Sequence, residues 1–337
     1  MAKRRRRANG GGPAERREER ALRLIFGKIV RELEAFDLNA LLPERVPLVD
    51  IRPDGVCFIV REPAPGGRSE LLIFDNPYEC SRYLRPITSQ HEANRRHIER
   101  SCFRLALGSY FMAPDSEELA GRSGLENSPV KATPLCCLPG RPSRPPGRRE
   151  LESICAALSE LIMMLKAIAS QPPNRFFENG ATLVRGYDAS AGFWHNMTTD
   201  VFGQMDLRAP REVNEGSSLW MELKRLRPGD MKGLELDYGW LAREDGNGFD
   251  CAVTAVDRND PYRSRNSLYD ADDAISGIIQ AFLNAAEEFG LPKKLYVCRD
   301  ETEDIFSDIA RITGVELKRV KRLPNAISIF NKNGVVW

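Results

Sequence analysis

The sequence predicts an α+β protein of two domains, each built on a mixed sheet. Three observations predict it. The 337 residues are about twice an ordinary domain length. The first half passes from an amphipathic helix into short β-type runs, and a long helix then closes at Gln171-Pro172-Pro173. The second half reads strand, strand, strand, helix, strand, helix, strand, an order that indicates a mixed α/β sheet.

Leu22, Ile25, Ile29, Val30, Leu33 and Phe36 recur at three and four residues and mark one helix over Ala21 to Phe36. Val46–Ile51, Val56–Val60 and Leu71–Phe74 read as a small meander, cut by Pro53-Asp54-Gly55 and by residues 63–67. Helices are expected over Tyr78–Leu84 and Ala93–Glu99, a strand over Cys102–Phe111, and a helix from Glu150 to Ala169. Ala181–Tyr187 and Leu219–Leu226 read as strands. Leu234–Leu241 and Cys251–Val256 form a hairpin across Asp245-Gly246-Asn247-Gly248. Asp272–Phe289 is a helix, Lys294–Cys298 a strand, and Asp300–Thr313 a helix opened by an Asp300/Glu303 capping pattern and closed by Gly314. Val315–Val320 is the next strand.

The expected domains are a disordered basic tail over 1–18, an N-terminal α+β domain over 19–112 and an irregular Pro/Arg-rich segment over 113–149. A long helix over 150–175 completes the N-terminal domain, and a C-terminal α/β domain occupies 176–337. Hydrophobic residues at 42% and charged ones at 29% exclude a fibre, a disulfide mini-protein and a wholly disordered chain. No run approaches the ~18 apolar residues of a membrane span, and no apolar segment follows the basic start, so the reading is a cytoplasmic protein without a membrane partner. The eight cysteines contain no C-x-x-C and read as reduced thiols.

The net charge of +1 hides a split, because Lys3, Arg4, Arg5, Arg6 and Arg7 carry five positive charges ahead of an acidic body. Such an arm finds phosphates by counter-ion release, which makes nucleic acid or a protein the partner class it points to; a solvated tail is the plainer reading. Lys318, Arg319, Lys321 and Arg322 would be divided between two faces of a strand.

Phe289-Gly-Leu-Pro-Lys-Lys-Leu-Tyr-Val-Cys-Arg-Asp300, then Gly314-Val-Glu-Leu and Leu323-Pro324, resemble the C-terminal domain of an uncharacterised bacterial family of paired domains of unknown function. That resemblance covers roughly residues 215–330 and implies a fold without an activity. The same element order resembles the ribonuclease-H-like fold. That resemblance implies one carboxylate on the first core strand, another after the fourth, and further acids around two metal ions. By analogy Asp257 and Asp300 take the first two places, while Lys321-Arg322-Leu323-Pro324 stands where the last carboxylate is expected. Asp300 as a helix cap and Asp257 as a loop residue are the plainer readings.

Glu222 and Lys224, on one face of a strand after Asp200 and Asp206, would suit a metal-dependent nuclease; an exposed ion pair explains them equally well. His195, between Trp194 and Asn196 with Asp200 nearby, has a side chain suited to acid–base work, although a histidine among aromatics is more often structural. No P-loop, dinucleotide fingerprint, zinc spacing or nucleophile elbow occurs. The missing catalytic set favours a non-enzymatic binding or interaction protein with a degenerate ribonuclease-H-like domain. The alternative is a nucleic-acid-processing enzyme, and a divalent metal is implied only there.

Overall fold

The computed structural model describes residues 13–53, 55–64, 68–87, 89–107, 132–171, 174–200 and 213–337. It is an α+β protein with a seven-stranded and a five-stranded mixed sheet. The chain divides into two compact units, and neither is continuous in sequence. The first holds residues 1–80, 102–137 and 143–205; the second holds 81–101, 138–142 and 206–337.

In the first unit, α1 (Pro13–Leu33) and the short α2 (Leu38–Leu41) precede β1 (Pro47–Arg52), β2 (Gly55–Ala64) and β3 (Arg68–Phe74). After an excursion into the second unit come β4 (Cys102–Leu107), β5 (Ala132–Cys137), α5 (Arg148–Ala169), the single-turn α6 (Asn174–Phe177), β6 (Thr182–Asp188) and β7 (Phe193–Thr199). The order is β5-β4-β3-β2-β1-β6-β7, antiparallel except where β6 lies parallel to β1. Phe26, Val30 and Leu33 of α1 and Leu158, Leu161 and Leu165 of α5 bury their stripes on Leu48, Ile59, Leu71 and Leu183 of the sheet. The expected border at 176 is therefore displaced: β6 and β7 belong to the first sheet because β6 pairs with β1. Part of the expected tail is helical. Helix α1 begins at Pro13, and Glu18 pairs with Arg148 at 2.5 Å. Lys3 and Arg4 to Arg7 lie outside the described residues.

The excursion comprises α3 (Pro77–Leu84), of which residues 81–84 belong to the second unit, and α4 (Gln90–Glu99). The second unit continues with α7 (Ser218–Arg225), β8 (Leu234–Ala242), β9 (Phe249–Asp257), β10 (Ser264–Tyr269), α8 (Ala274–Phe289), β11 (Lys294–Val297), α9 (Asp300–Thr313), β12 (Glu316–Arg319) and α10 (Pro324–Lys332). Its order is β10-β9-β8-β11-β12: an antiparallel meander, then β11 parallel to β8 and β12 parallel to β11. Side chains alternate along β8. Leu234, Leu236, Tyr238 and Trp240 join the core with Ile278 and Phe282 of α8 and Ile305 and Phe306 of α9. Glu235, Asp237 and Gly239 have the opposite parity. Glu235 accepts from the Asn325 and Ala326 amides at the start of α10, at 2.9 and 3.2 Å. Gly239 admits the C-terminal segment: a Cβ there would meet Val335 Cγ1 at 2.4 Å and the Val336 carbonyl at 2.7 Å. Trp240 and Val336 exchange backbone hydrogen bonds of 2.7 and 2.9 Å, which carries Trp337 along β8.

Leu219–Leu226 is a helix where a strand was expected. Ser217 caps it by accepting from the Trp220 amide at 3.2 Å, and Leu219, Leu223 and Leu226 repeat at four and three toward the core. Among the described residues no helix is long and apolar enough to cross a membrane. The eight cysteines are free thiols.

Candidate functional site

Within the second unit a cleft of about 410 Å³ opens beyond the carboxyl ends of β11 and β12. In open α/β sheets that is where ligands are held, because loops and helix starts converge there. Cationic side chains reach it from four places. Arg82 and Arg85 come from α3 and the turn after it, Arg95 and Arg96 from α4, Arg299 from the end of β11, and Arg319 and Lys321 from β12 and its exit. Glu92, Glu99, Asp237, Asp300 and Glu301 line the same cleft. Seven cations thus face five carboxylates, with His91 and Trp337 also in the wall.

Arg299 and Glu99 form the buried floor. Arg299 Nε lies 2.9 Å from Asp237 Oδ1, its Nη1 donates to Glu99 Oε1 at 3.5 Å, and its Nη2 donates to the Tyr238 carbonyl. The guanidinium stacks on the Tyr238 ring, 4.2 Å from its centroid. Glu99 accepts from the Trp240 indole at 3.0 Å and pairs with Arg82, whose Nε reaches Glu301 at 2.8 Å. Burial alone would raise the Glu99 carboxyl; Arg82, Arg95 and Arg299, together with the Trp240 indole, outweigh it and hold the carboxyl at about 2. Burial likewise pushes the neighbouring Cys298 thiol up to about 12, so it stays protonated. Arg96 donates to the Tyr83 and Pro86 carbonyls at 3.2 and 3.0 Å and to Glu92 at 2.5 Å, tying the turn after α3 to α4.

Nearer the opening the charges are less compensated. Asp300 is shared by Arg85 and Arg319, and Arg319 also reaches Glu303 at 3.5 Å. Arg95 Nη1 is buried with no hydrogen-bond partner among the described residues. Lys321 is exposed and has no ion pair among the described residues. The strand parity read from the sequence puts Arg319 and Lys321 together; both line the cleft, whereas Lys318 pairs with Glu316 and Arg322 lines a separate groove beside α10.

Asp257, Asp300 and Lys224 of the second unit have separate local partners. Asp257 ends β9, the second strand of its sheet and not the first; its Oδ1 accepts from the Asn259 amide at 2.9 Å and Arg263 lies 3.7 Å away, a turn-closing role. Asp300 lines the cleft but does not cap α9: Arg299 holds the N-cap position, and its carbonyl accepts from the Glu303 amide at 3.0 Å. Glu222 and Lys224 are exposed on α7, about 200° apart around a helix rather than on one sheet face, and Lys224 lies over the Trp220 ring at 5.6 Å. His195 lies on β7 of the first unit, opposite Gly186 and edge-on to Phe193 at 6.2 Å. Asp206 is outside the described residues. Among the described residues no three His, Cys, Asp or Glu side chains gather where they could hold a metal ion.

Arg82, Arg95, Glu99, Asp237, Arg299 and Trp337 were not singled out from the sequence. The available signals were the arginine density of residues 95–100 and the Cys298-Arg299-Asp300 step between a strand and a helix. No curated protein and no solved structure matches the chain. Residues 222–332, which span α7 through α10 except for the first residues of α7, are similar to a family described as a domain of unknown function, DUF6930.

Proposed function

We propose that the chain is a non-enzymatic binding protein whose second unit takes a small polyanion into the arginine-lined cleft. The observation that carries this reading is the excess of cations at the opening, where among the described residues Arg95 Nη1 has no hydrogen-bond partner and Lys321 no ion pair. A buried N–H without a hydrogen-bond partner is costly, and an anion that accepts from Arg95 Nη1 relieves the cost. A volume of about 410 Å³ suits a small molecule.

The second unit is read as a degenerate ribonuclease-H-like domain. Support comes from an antiparallel meander followed by two crossovers that lay β11 and β12 parallel to β8. That fold family implies divalent metal ions, and the residues here do not fit them. Asp237, the carboxylate inside the first strand of the sheet, has Arg299 Nε at 2.9 Å. Asp300, after the fourth strand, is shared by Arg85 and Arg319. Each carboxylate already has a guanidinium partner, and a metal pair would add positive charge where cations are in excess.

Calorimetric titration of pyrophosphate into the full chain tests the reading. The expected result is binding that weakens about tenfold in each of Arg95→Ala and Lys321→Ala, the loss typical of one charge-assisted hydrogen bond. Thermal stability of Lys321→Ala, an exposed position, should remain within the small range of surface substitutions, whereas Arg95→Ala also loses its attraction to Glu99 and Glu301. Absence of binding, or variants that bind as the wild type does, would overturn it.

A further inference from the structure

The cleft wall carries more than charge. His91 and Trp337 lie nearly parallel, with ring centroids 5.2 Å apart and planes inclined by 12°. The Trp337 indole N–H donates to Asn331 Oδ1 at 3.0 Å, which fixes the ring, and the backbone pairing over Gly239 fixes the segment that carries it. His91 is exposed, so solvent reaches the pair from the histidine. Planar heterocycles continue such stacks because their faces are apolar and polarisable. On the same cleft, Arg95 Nη1 has no hydrogen-bond partner and Lys321 no ion pair among the described residues, and Asp300 and Glu92, each paired with arginine, line the wall.

Resting on the polyanion reading above, we infer that the ligand is a free mononucleotide. Its phosphate is met by Arg95 and Lys321, its sugar hydroxyls donate to a cleft carboxylate, and its base extends the His91–Trp337 stack. Three chemically distinct features of one cleft match the three parts of that molecule. An inorganic phosphate or a sugar phosphate uses the charge and leaves the stack unused. A strand of nucleic acid needs a groove that continues past one nucleotide, whereas about 410 Å³ is a small-molecule volume.

The test is titration of the full chain with adenosine monophosphate, ribose 5-phosphate, phosphotyrosine and a 5′-phosphorylated trinucleotide. Adenosine monophosphate is expected to bind at least about fivefold more tightly than ribose 5-phosphate, the smallest gain that base stacking gives. Trp337→Leu should bring it down to the ribose 5-phosphate level and leave ribose 5-phosphate unchanged. His91→Ala, at an exposed position, should do the same and keeps the test in force if Trp337→Leu does not fold. Equal affinity for the two phosphates in the wild type would overturn the mononucleotide and leave the polyanion reading standing. Binding of neither would overturn both. Tighter binding of phosphotyrosine or of the trinucleotide would overturn the mononucleotide in favour of that ligand class.

Discussion

Glu99 is the residue on which the cleft floor depends. It joins α4 to β8 through the Trp240 indole and to the end of β11 through Arg299, 200 positions away. Replacing it by Gln leaves its ion-pair partners Arg82 and Arg299 short of a buried counter-charge, and breaking such a pair costs about 3–5 kcal/mol. Urea unfolding of Glu99→Gln should show that loss. The pH dependence has a definite sign. A carboxyl held at about 2 in the fold against an ordinary 4.5 adds stability above 4.5, and that stability disappears as pH falls through 2. The lowered Glu301 carboxyl acts in the same direction. Wild-type stability should therefore decline between about pH 4.5 and 2, with a shallower decline in Glu99→Gln; identical slopes would contradict the pairing. Little of this was legible in the sequence. Glu99 sits among charges on a helix and reads as a solvated face, and only tertiary pairing buries it. Arg319 and Lys321 were legible as a pair because strand parity is a local property.

At the scale of elements, the strands that the sequence concealed share one position in the fold. β5, β7 and β10 are all edge strands. Pro134 interrupts β5, β7 exposes Phe193 and Met197, and β10 reads Ser-Arg-Asn-Ser-Leu-Tyr. β7 and β10 bury little surface, so their hydrophobic pattern is faint, whereas β5 is mostly buried and its proline, tolerated on an edge, hides it. Central β2 and β9 bury largely apolar runs, and central β8 alternates Leu234, Leu236, Tyr238 and Trp240 with Glu235, Asp237 and Gly239; all three were legible. The Leu219–Leu226 error has a different origin: Leu219, Met221 and Leu223 alternate as a strand would, while Leu219, Leu223 and Leu226 also fit a helix, and the Ser217 cap decides between them. Two glycines separate conformation from packing. Gly314 ends α9 at φ 75° with open space around it, so Gly314→Ala should cost about 1–2 kcal/mol. Gly290 ends α8 at φ 79° and ψ 166°, a glycine-only region, and a Cβ there would meet Gly229 Cα at 2.4 Å. Strain and overlap together put Gly290→Ala at about 2–5 kcal/mol. Urea unfolding of the two variants should rank them in that order, and the reverse order would contradict the close approach of Gly290 and Gly229.

For the whole molecule, two domains and two mixed sheets were legible, but their membership was not. Residues 81–101 leave the first unit to build the cleft of the second, and β6 returns to pair with β1 after the long α5. Linear reading assigns neighbours in sequence to one body, and nothing local in residues 81–101 signals the exchange. The consequence for function is that the cleft draws on residues both inside and outside the stretch similar to the domain of unknown function, since Arg82, Arg95 and Glu99 precede residue 222 and Trp337 follows 332. The basic tail offers a second cationic feature, and the central claim is that arginines of the cleft bind the anion without the tail and without a metal ion. The most direct measurement is titration of pyrophosphate in EDTA into the full chain and into a variant with Lys3 and Arg4 to Arg7 replaced by Ala. The account expects equal affinity in both proteins, undiminished by the chelator. Binding that vanishes in EDTA and returns with Mn²⁺, or that is lost with the tail, would contradict it.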